Sequence, residues 1–234
     1  IVSLKDGSIY GYEALMRSTT PHFASPLDVL QLAEAQSKLP QLEHLTFRMI
    51  FDWMGKNLPS LGARKIFFNA ISAQYLDARE LRNMHPRYED ISRNMVFEII
   101  ETASSEEGLA QKVRELRTEL AAFIAIDDFG CAHSNALRLL NISPEILKID
   151  SFFIRAIHKA PASKREFLSN ILVYCRSKGI LTVAEGVETQ EELASVIALG
   201  FDLAQGFYLA RPEFALQELA PSQIEEITAL KRTV

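Results

Sequence analysis

The sequence is poor in cysteine, in clustered basic residues and in long apolar runs, and each absence excludes a class of protein. Its two cysteines, Cys131 and Cys175, are too few for a disulfide framework and lack histidine or cysteine neighbours at zinc-ligand spacing, which favours a reducing compartment. The formal net charge is −5 and no long basic block occurs, so binding to a nucleic-acid backbone is disfavoured. The longest wholly apolar run, Ala121–Ile126, is far shorter than the ~18 residues of a membrane helix.

What remains is the composition of an ordinary globular protein. The 234 residues are 48% hydrophobic and 24% charged, with only 10 glycines and 9 prolines, so we expect a sizeable core. This length favours one domain over residues 1–234. Because the first residue is isoleucine, we expect the chain to be a piece excised from a longer multidomain protein.

Hydrophobic periodicity predicts strands that alternate with helices. A turn cluster at residues 5–8 separates the apolar runs Ile1–Leu4 and Ile9–Met16, which predicts an opening antiparallel hairpin. Six further strands are predicted at Lys65–Ala70, Met95–Ile100, Phe123–Asp127, Ile146–Ile149, Leu181–Glu185 and Phe201–Gln205. Helices are predicted at Leu27–Ser37, Leu42–Asn57, Ala73–Arg82, Glu106–Leu120, Asn135–Leu140, Lys164–Ser177 and Gln190–Leu199.

Strands separated by single helices pair in parallel through crossovers, and about eight such units in ~250 residues are typical of a (β/α)8 barrel. The sequence therefore predicts an α/β fold of the TIM barrel type. An open doubly wound sheet is the competing architecture. The polar stretch Asn83–Asn94 is predicted to be the longest loop.

Polar side chains stand at the carboxyl ends of the predicted strands, where barrel enzymes keep their catalytic groups. Acids that meet at one rim repel one another unless a cation lies among them. An oxygen-only donor set suits Mg²⁺ or Mn²⁺ better than zinc, and this one is large enough for two ions. The polar residues at the strand ends are Glu13, Asn69, Glu98, Asp127, Asp128, Lys148, Glu185 and Gln205, and the oxygen donor set is the first five of them.

Two basic residues accompany these acids. Lys148 lies between Leu147 and Ile149, so its ammonium must point at water or at carboxylates. Arg17 suits a bidentate contact with a substrate phosphate, although it equally fits a surface position. A plainer interpretation stays open for the acids too, since single carboxylates at strand ends are commonly solvated loop residues.

Seven short motifs follow one another along almost the whole chain. They are Glu13-Ala14-Leu15-Met16-Arg17, Phe67-Phe68-Asn69-Ala70-Ile71-Ser72, Phe97-Glu98-Ile99-Ile100-Glu101-Thr102, Ile126-Asp127-Asp128-Phe129-Gly130, Leu147-Lys148-Ile149-Asp150, Ala184-Glu185-Gly186-Val187-Glu188-Thr189 and Gln205-Gly206-Phe207. In this order they resemble the motifs of the EAL-domain family, the bacterial cyclic di-GMP phosphodiesterases.

The resemblance implies a modified TIM barrel whose first strand is antiparallel, in agreement with the opening hairpin. It implies that metal ions are bound by Glu13, Asn69, Glu98, Asp127 and Asp128. Lys148 would hold the attacking water and Glu185 would be the general base, while Arg17, Gln205 and Leu15 would contact the substrate. Glu101 and Glu188 would brace the site from behind.

One segment departs from the family pattern. Residues Cys131–Asn135 replace the usual Thr-Gly-Tyr-Ser-Ser, and Ala132 stands where the family has a glycine that can adopt positive φ. The family's loop here connects the metal site to the interface of the expected homodimer. The change therefore bears on the rate of hydrolysis and on its coupling to dimerisation, and not on the presence of the site. This departure supports a second hypothesis, a weak or inactive EAL domain that serves as a cyclic di-GMP receptor.

A third hypothesis sets the resemblance aside and interprets the site as a magnesium-dependent lyase or isomerase with Lys148 as its base. The family context predicts a cytoplasmic domain that a missing segment could tether to a membrane. The partners it implies are cyclic di-GMP and a second copy of the chain.

Overall fold

The computed structural model describes residues 1–20, 22–23, 25–70, 78–99, 106–130 and 136–233. Within these residues, the strands are Val2–Ser3 (β1), Gly11–Ala14 (β2), Lys65–Ala70 (β3), Met95–Ile99 (β4), Phe123–Phe129 (β5), Ile146–Ile149 (β6), Leu181–Ala184 (β7) and Leu203–Ala204 (β8). The helices are Pro26–Ala35 (α1), Leu39–Leu61 (α2), Ala78–Asn83 (α3), Tyr88–Ile91 (α4), Glu106–Leu120 (α5), Ala136–Ile142 (α6), Ser151–Ile154 (α7), Ala162–Lys178 (α8), Gln190–Leu199 (α9) and Pro221–Arg232 (α10).

The described residues fall into two compact units, residues 1–12 with 124–234 and residues 13–123. In the first unit β1 pairs antiparallel with β8, and β8, β7, β6 and β5 follow one another in parallel. An antiparallel bridge also joins Val2 to Ile9. The expected antiparallel opening of the chain is therefore confirmed.

The first unit is built around strands that are largely buried. All four residues of β6 are buried, as are Val183 and Ala184 of β7. Continuous burial is typical of parallel strands that are covered on both faces. A polar residue in such a strand needs a partner inside the protein, because water does not reach it.

In the second unit β3 pairs in parallel with β4. Four phenylalanines from α2, β3 and β4 form its core, and each is fully buried: Phe47, Phe51, Phe68 and Phe97. The rings of Phe68 and Phe97 meet edge to face with their centroids 4.7 Å apart, a favoured aromatic geometry. This packing fixes the backbone of β3 and β4 beside each other.

Several predicted boundaries need correction. The predicted loop 83–94 contains α4 and a 3-10 turn at Ser92–Asn94, so that prediction was wrong. Helix α2 is longer than predicted and continues past Pro59. The proline cannot donate to the carbonyl of Gly55, which accepts a hydrogen bond from Nη1 of Arg87 at 3.0 Å instead. Helices α7 and α10 were not predicted. The first part of the predicted helix 73–82 lies outside the described residues.

The opposite case is α9, whose predicted bounds agree with the structure. Thr189 and Glu192 form a reciprocal capping box at its start, and Gly200 ends it with φ 91°.

In the part of the chain that the structure describes, we find no helix that is both long enough and apolar enough to cross a bilayer.

Candidate metal and catalytic site

Two aspartates in β5 lie where the pairing with β6 becomes irregular. The register shifts between Ile126 and Phe129, and these two residues flank Asp127 and Asp128. Asp128 also has a positive φ of 53°, a conformation that aspartate tolerates better than most residues. A bulge of this kind redirects side chains, and here it allows two consecutive acids to serve one site.

The carboxylates of Asp127, Asp128 and Glu185 converge. One oxygen from each lies within 4.8 Å of the others. Asp127 and Asp128 come from β5, whereas Glu185 directly follows β7. The strand between them in the sheet, β6, contributes Lys148.

Lys148 is bound by two of these acids. Its Nζ lies 2.8 Å from Oδ1 of Asp127 and 2.9 Å from Oε1 of Glu185. The lysine side chain is only 1% exposed, and those of Asp127 and Glu185 are 11% and 14% exposed. Of the two predicted partners of this ammonium, water or carboxylates, the structure shows carboxylates, and such charge-assisted bonds hold both acids in place.

The charges of the cluster suit a divalent cation. Three carboxylates face one ammonium, so the cluster keeps an excess of negative charge even with Lys148 in place. Carboxylate oxygens are the donors that Mg²⁺ and Mn²⁺ prefer, and no cysteine or histidine belongs to this group of described residues. The donor set therefore fits a hard metal ion.

Backbone hydrogen bonds fix the segments that carry these acids. The N–H of Glu185 donates to the carbonyl of Ile149 at 3.1 Å, and the N–H of Asp150 donates to Phe129 at 3.2 Å. Gln205 continues the pattern, because its N–H donates to Ala184 at 2.9 Å. The predicted substrate residue Gln205 thus lies beside the end of β7, the strand that Glu185 directly follows.

In the second unit, Asn69 and Glu98 are register partners on β3 and β4. Glu98 is fully buried, and Asn69 is half-buried. Neighbouring positions in parallel strands point to the same face, so the pairing places both oxygen-bearing side chains side by side. Glu13 is half-buried within β2.

The remaining predicted residues lie nearer the solvent. Leu15 is 40% exposed, and Arg17 donates from Nη1 to the carbonyl of Met16 at 2.8 Å. The exposed carboxylate of Glu188 lies 3.5 Å from the guanidinium of Arg155. Their predicted roles stay predictions. Glu101 and the loop Cys131–Asn135 lie outside the described residues.

Sequence reasoning missed a buried acid near this site. Glu192 is 4% exposed, and its carboxylate accepts hydrogen bonds from the N–H groups of Ala156, Glu188 and Thr189 at 2.8, 2.8 and 3.2 Å. It ties the segment after Glu185 to the end of α7. The spacing Thr189-x-x-Glu192 is a capping-box signal that could have identified half of this arrangement.

Parallel strands β5 to β7 carry this acidic cluster at their carboxyl ends, which defines an α/β protein with a donor set that fits a hard cation. The chain belongs to the EAL domain family, whose model matches residues 1–212. Among its relatives is the cyclic di-GMP phosphodiesterase PdeF of Escherichia coli strain K12, 28% identical over 94% of this chain and 30% of that protein. The chain thus spans about a third of the length of this relative.

Solved structures extend the likeness to the fold. A standalone EAL protein from Vibrio cholerae O395 in its c-di-GMP-bound form matches with a TM-score of 0.77 and 27% identity, over 94% of this chain and 92% of that one. BlrP1 of Klebsiella pneumoniae, in a complex with manganese and c-di-GMP, matches with a TM-score of 0.72 and 26% identity, over 90% and 54% respectively. The predicted fold class, a modified TIM barrel with an antiparallel first strand, is confirmed, and the doubly wound alternative was wrong.

Proposed function

We propose that this chain is a metal-dependent phosphodiesterase that hydrolyses one phosphodiester bond of cyclic di-GMP to linear pGpG. The observation that carries the proposal is the group formed by Asp127, Asp128, Glu185 and Lys148. Hydrolysis of a phosphodiester needs a nucleophilic water, a group that takes its proton and positive charge near the phosphoryl oxygens. This group offers an acceptor, an ammonium and a site for a cation.

The chain's residues divide this work as follows. Lys148 holds the attacking water, and Glu185 accepts the proton that the water loses. The water oxygen bonds to phosphorus as the phosphorus–oxygen bond to one ribose breaks, and the departing ribose oxygen takes up a proton from bulk water. The ring therefore opens to a linear dinucleotide. Lys148 contacts Glu185 directly, so the ammonium that holds the water and the carboxylate that accepts its proton lie within hydrogen-bond distance of each other.

A bound Mg²⁺ or Mn²⁺ would lower the pKa of the water and offset charge on the phosphate. We assign Asp127 and Asp128 to its coordination on the geometry of their carboxylates. The assignment of Glu13, Asn69 and Glu98 as further ligands, and of two ions rather than one, is supported by the family resemblance alone.

Substrate binding is assigned to Arg17, Gln205 and Leu15. Arg17 offers a planar guanidinium that matches a phosphate, and Leu15 offers an exposed apolar surface for the nucleotide. Gln205 lies beside the end of β7, the strand that Glu185 follows, and its side chain is an amide. Three further points of the proposal are supported by the family resemblance. They are the bracing roles of Glu101 and Glu188, the homodimer and a cytoplasmic location.

The test is product analysis by chromatography after incubation of the chain with cyclic di-GMP. Parallel reactions contain EDTA, MgCl₂ or MnCl₂, over a range of protein concentrations that would reveal dimer-dependent activity. We expect pGpG with either metal and none with EDTA. Tight binding of cyclic di-GMP without any product would instead favour the receptor hypothesis.

A further inference from the structure

Helix α7 begins immediately after the strand that carries Lys148. Asp150 caps it, because the Asp150 side chain accepts a hydrogen bond from the N–H of Phe152 at 2.7 Å. The N–H of Asp150 itself donates to Phe129. The first turn of α7 is therefore attached both to the lysine strand and to the end of the aspartate strand.

Two side chains of α7 lie against the glycines that follow the acidic residues. A methyl group built on Gly130 would lie 2.0 Å from Cε2 of Phe153, so the ring covers this glycine without any gap. A methyl group on Gly186 would lie 2.5 Å from Cβ of Ser151. Helix α7 thus occupies the space beside both the segment after Asp128 and the segment after Glu185.

The contact at Gly130 bears on the conformation of Asp128. Both residues have positive φ, 53° for Asp128 and 112° for Gly130, and only Phe129 lies between them. A non-glycine residue keeps such a conformation when its surroundings determine it. The Phe153 ring is the side chain that closes over this turn, and Phe167 stacks against that ring at 5.6 Å.

We propose that Phe153 is a positioning residue: by seating its ring on Gly130 it holds the Asp127–Gly130 turn so that the carboxylate of Asp128 stays beside those of Asp127 and Glu185. The inference rests on the proposed function in one respect, that the carboxylates bind a divalent cation. The inference gives Phe153, whose side chain has no metal-donor atom, a role in the affinity of the site for the metal.

The experiment measures Mn²⁺ binding to the full chain without substrate, by electron paramagnetic resonance of free Mn²⁺. Residues that support metal ligands typically change affinity by about 10- to 100-fold when they are removed. We therefore expect Phe153→Ala to weaken Mn²⁺ binding by about that factor, and Phe153→Leu to recover most of the loss. The matched control is Phe214→Ala, which removes a ring that is 94% exposed.

Equal Mn²⁺ affinity in Phe153→Ala and Phe214→Ala would overturn the inference. If Phe153→Ala does not fold, the series Phe153→Leu and Phe153→Val replaces it, with a stepwise loss of affinity as the expected result and a constant affinity as the contrary one. A wild-type chain that binds Mn²⁺ but yields no pGpG refutes the proposed function and leaves this test intact.

Discussion

The Nζ atom of Lys148 lies 2.8 Å from Oδ1 of Asp127, and both side chains are almost fully shielded from water. The same ammonium reaches Glu185, so a single lysine separates two like charges from neighbouring elements. In a buried setting such a pair is costly to break, since the carboxylates left behind lose this ammonium as a partner. Lys148 is therefore expected to contribute to stability as well as to catalysis.

Replacing this lysine by methionine tests that expectation. Removing one partner of a buried ion pair costs about 3–5 kcal/mol, which in a domain of this size lowers Tm by roughly 6–20 °C. We expect a Lys148→Met variant to show such a decrease in EDTA and to recover part of it on addition of Mn²⁺. Thermal unfolding monitored by circular dichroism gives both values.

The matched control is Lys178→Met, in the last turn of α8, where the lysine is exposed. That variant should change Tm by no more than about 2 °C, as expected for a surface substitution. Equal Tm values for the two variants in EDTA would show that the Lys148 ion pairs do not stabilise the fold.

Glu185 is assigned the proton of the attacking water, and Glu185→Gln removes the acceptor while keeping the shape of the side chain. General base catalysis contributes about 10²- to 10⁴-fold, so kcat should fall by that factor while cyclic di-GMP still binds. Glu191→Gln, at an exposed position in α9, provides the control. Unchanged kcat in Glu185→Gln would remove Glu185 from the role of base.

Gly206 follows Gln205 and packs directly against the backbone of Val187. A methyl group at this position would lie 2.1 Å from the carbonyl oxygen of Val187, and backbone atoms cannot move aside as a flexible side chain can. We expect Gly206→Ala to lower the free energy of unfolding by about 1–3 kcal/mol, as overpacking does, and to lower activity.

Gly179→Ala is an informative comparison, because Gly179 has φ 70° but open space around its Cβ position. It should cost about 1 kcal/mol through backbone strain and leave kcat unchanged. Chemical denaturation and a hydrolysis assay distinguish the two variants. Full activity in Gly206→Ala would contradict the close packing between residues 187 and 206.

Burial raises the pKa of the Cys175 thiol to about 11, with a smaller contribution from the nearby charge of Asp202. Since the thiolate is the reactive form, only about one molecule in a thousand carries it at pH 8. We expect iodoacetamide to leave Cys175 unmodified in the folded chain at pH 8 and to label it after unfolding in urea. Mass spectrometry of the peptide that contains residue 175 reads the outcome, and rapid labelling at pH 8 would contradict it.

Local signals account for what the sequence predicted well. The capping box at Thr189 and the terminal Gly200 determine both ends of α9. Lys148 is a second case, because its position between two apolar residues limits its ammonium to water or carboxylates as partners. Each of these inferences depends on residues a few positions apart.

The parts that sequence reasoning missed depend on contacts between distant residues. Phe153 lies 23 positions from Gly130, and nothing in the pattern around either one predicts that they touch. Helix α7 spans only one turn, too short for a helical period to show, and the bulge at Asp127 and Asp128 appears only once β5 is paired with β6. Because such contacts cannot be read from the sequence, the sequence predicted which acids form the site but not the distances between their carboxylates.

The measurement that tests the central claim most directly is anomalous diffraction from crystals of the chain soaked in MnCl₂. The account predicts an anomalous peak about 2.0–2.5 Å from carboxylate oxygens of Asp127 and Asp128, with Glu185 and Lys148 beside it. A chain that hydrolyses cyclic di-GMP in the presence of Mn²⁺ while its anomalous peaks all lie away from these residues would contradict it.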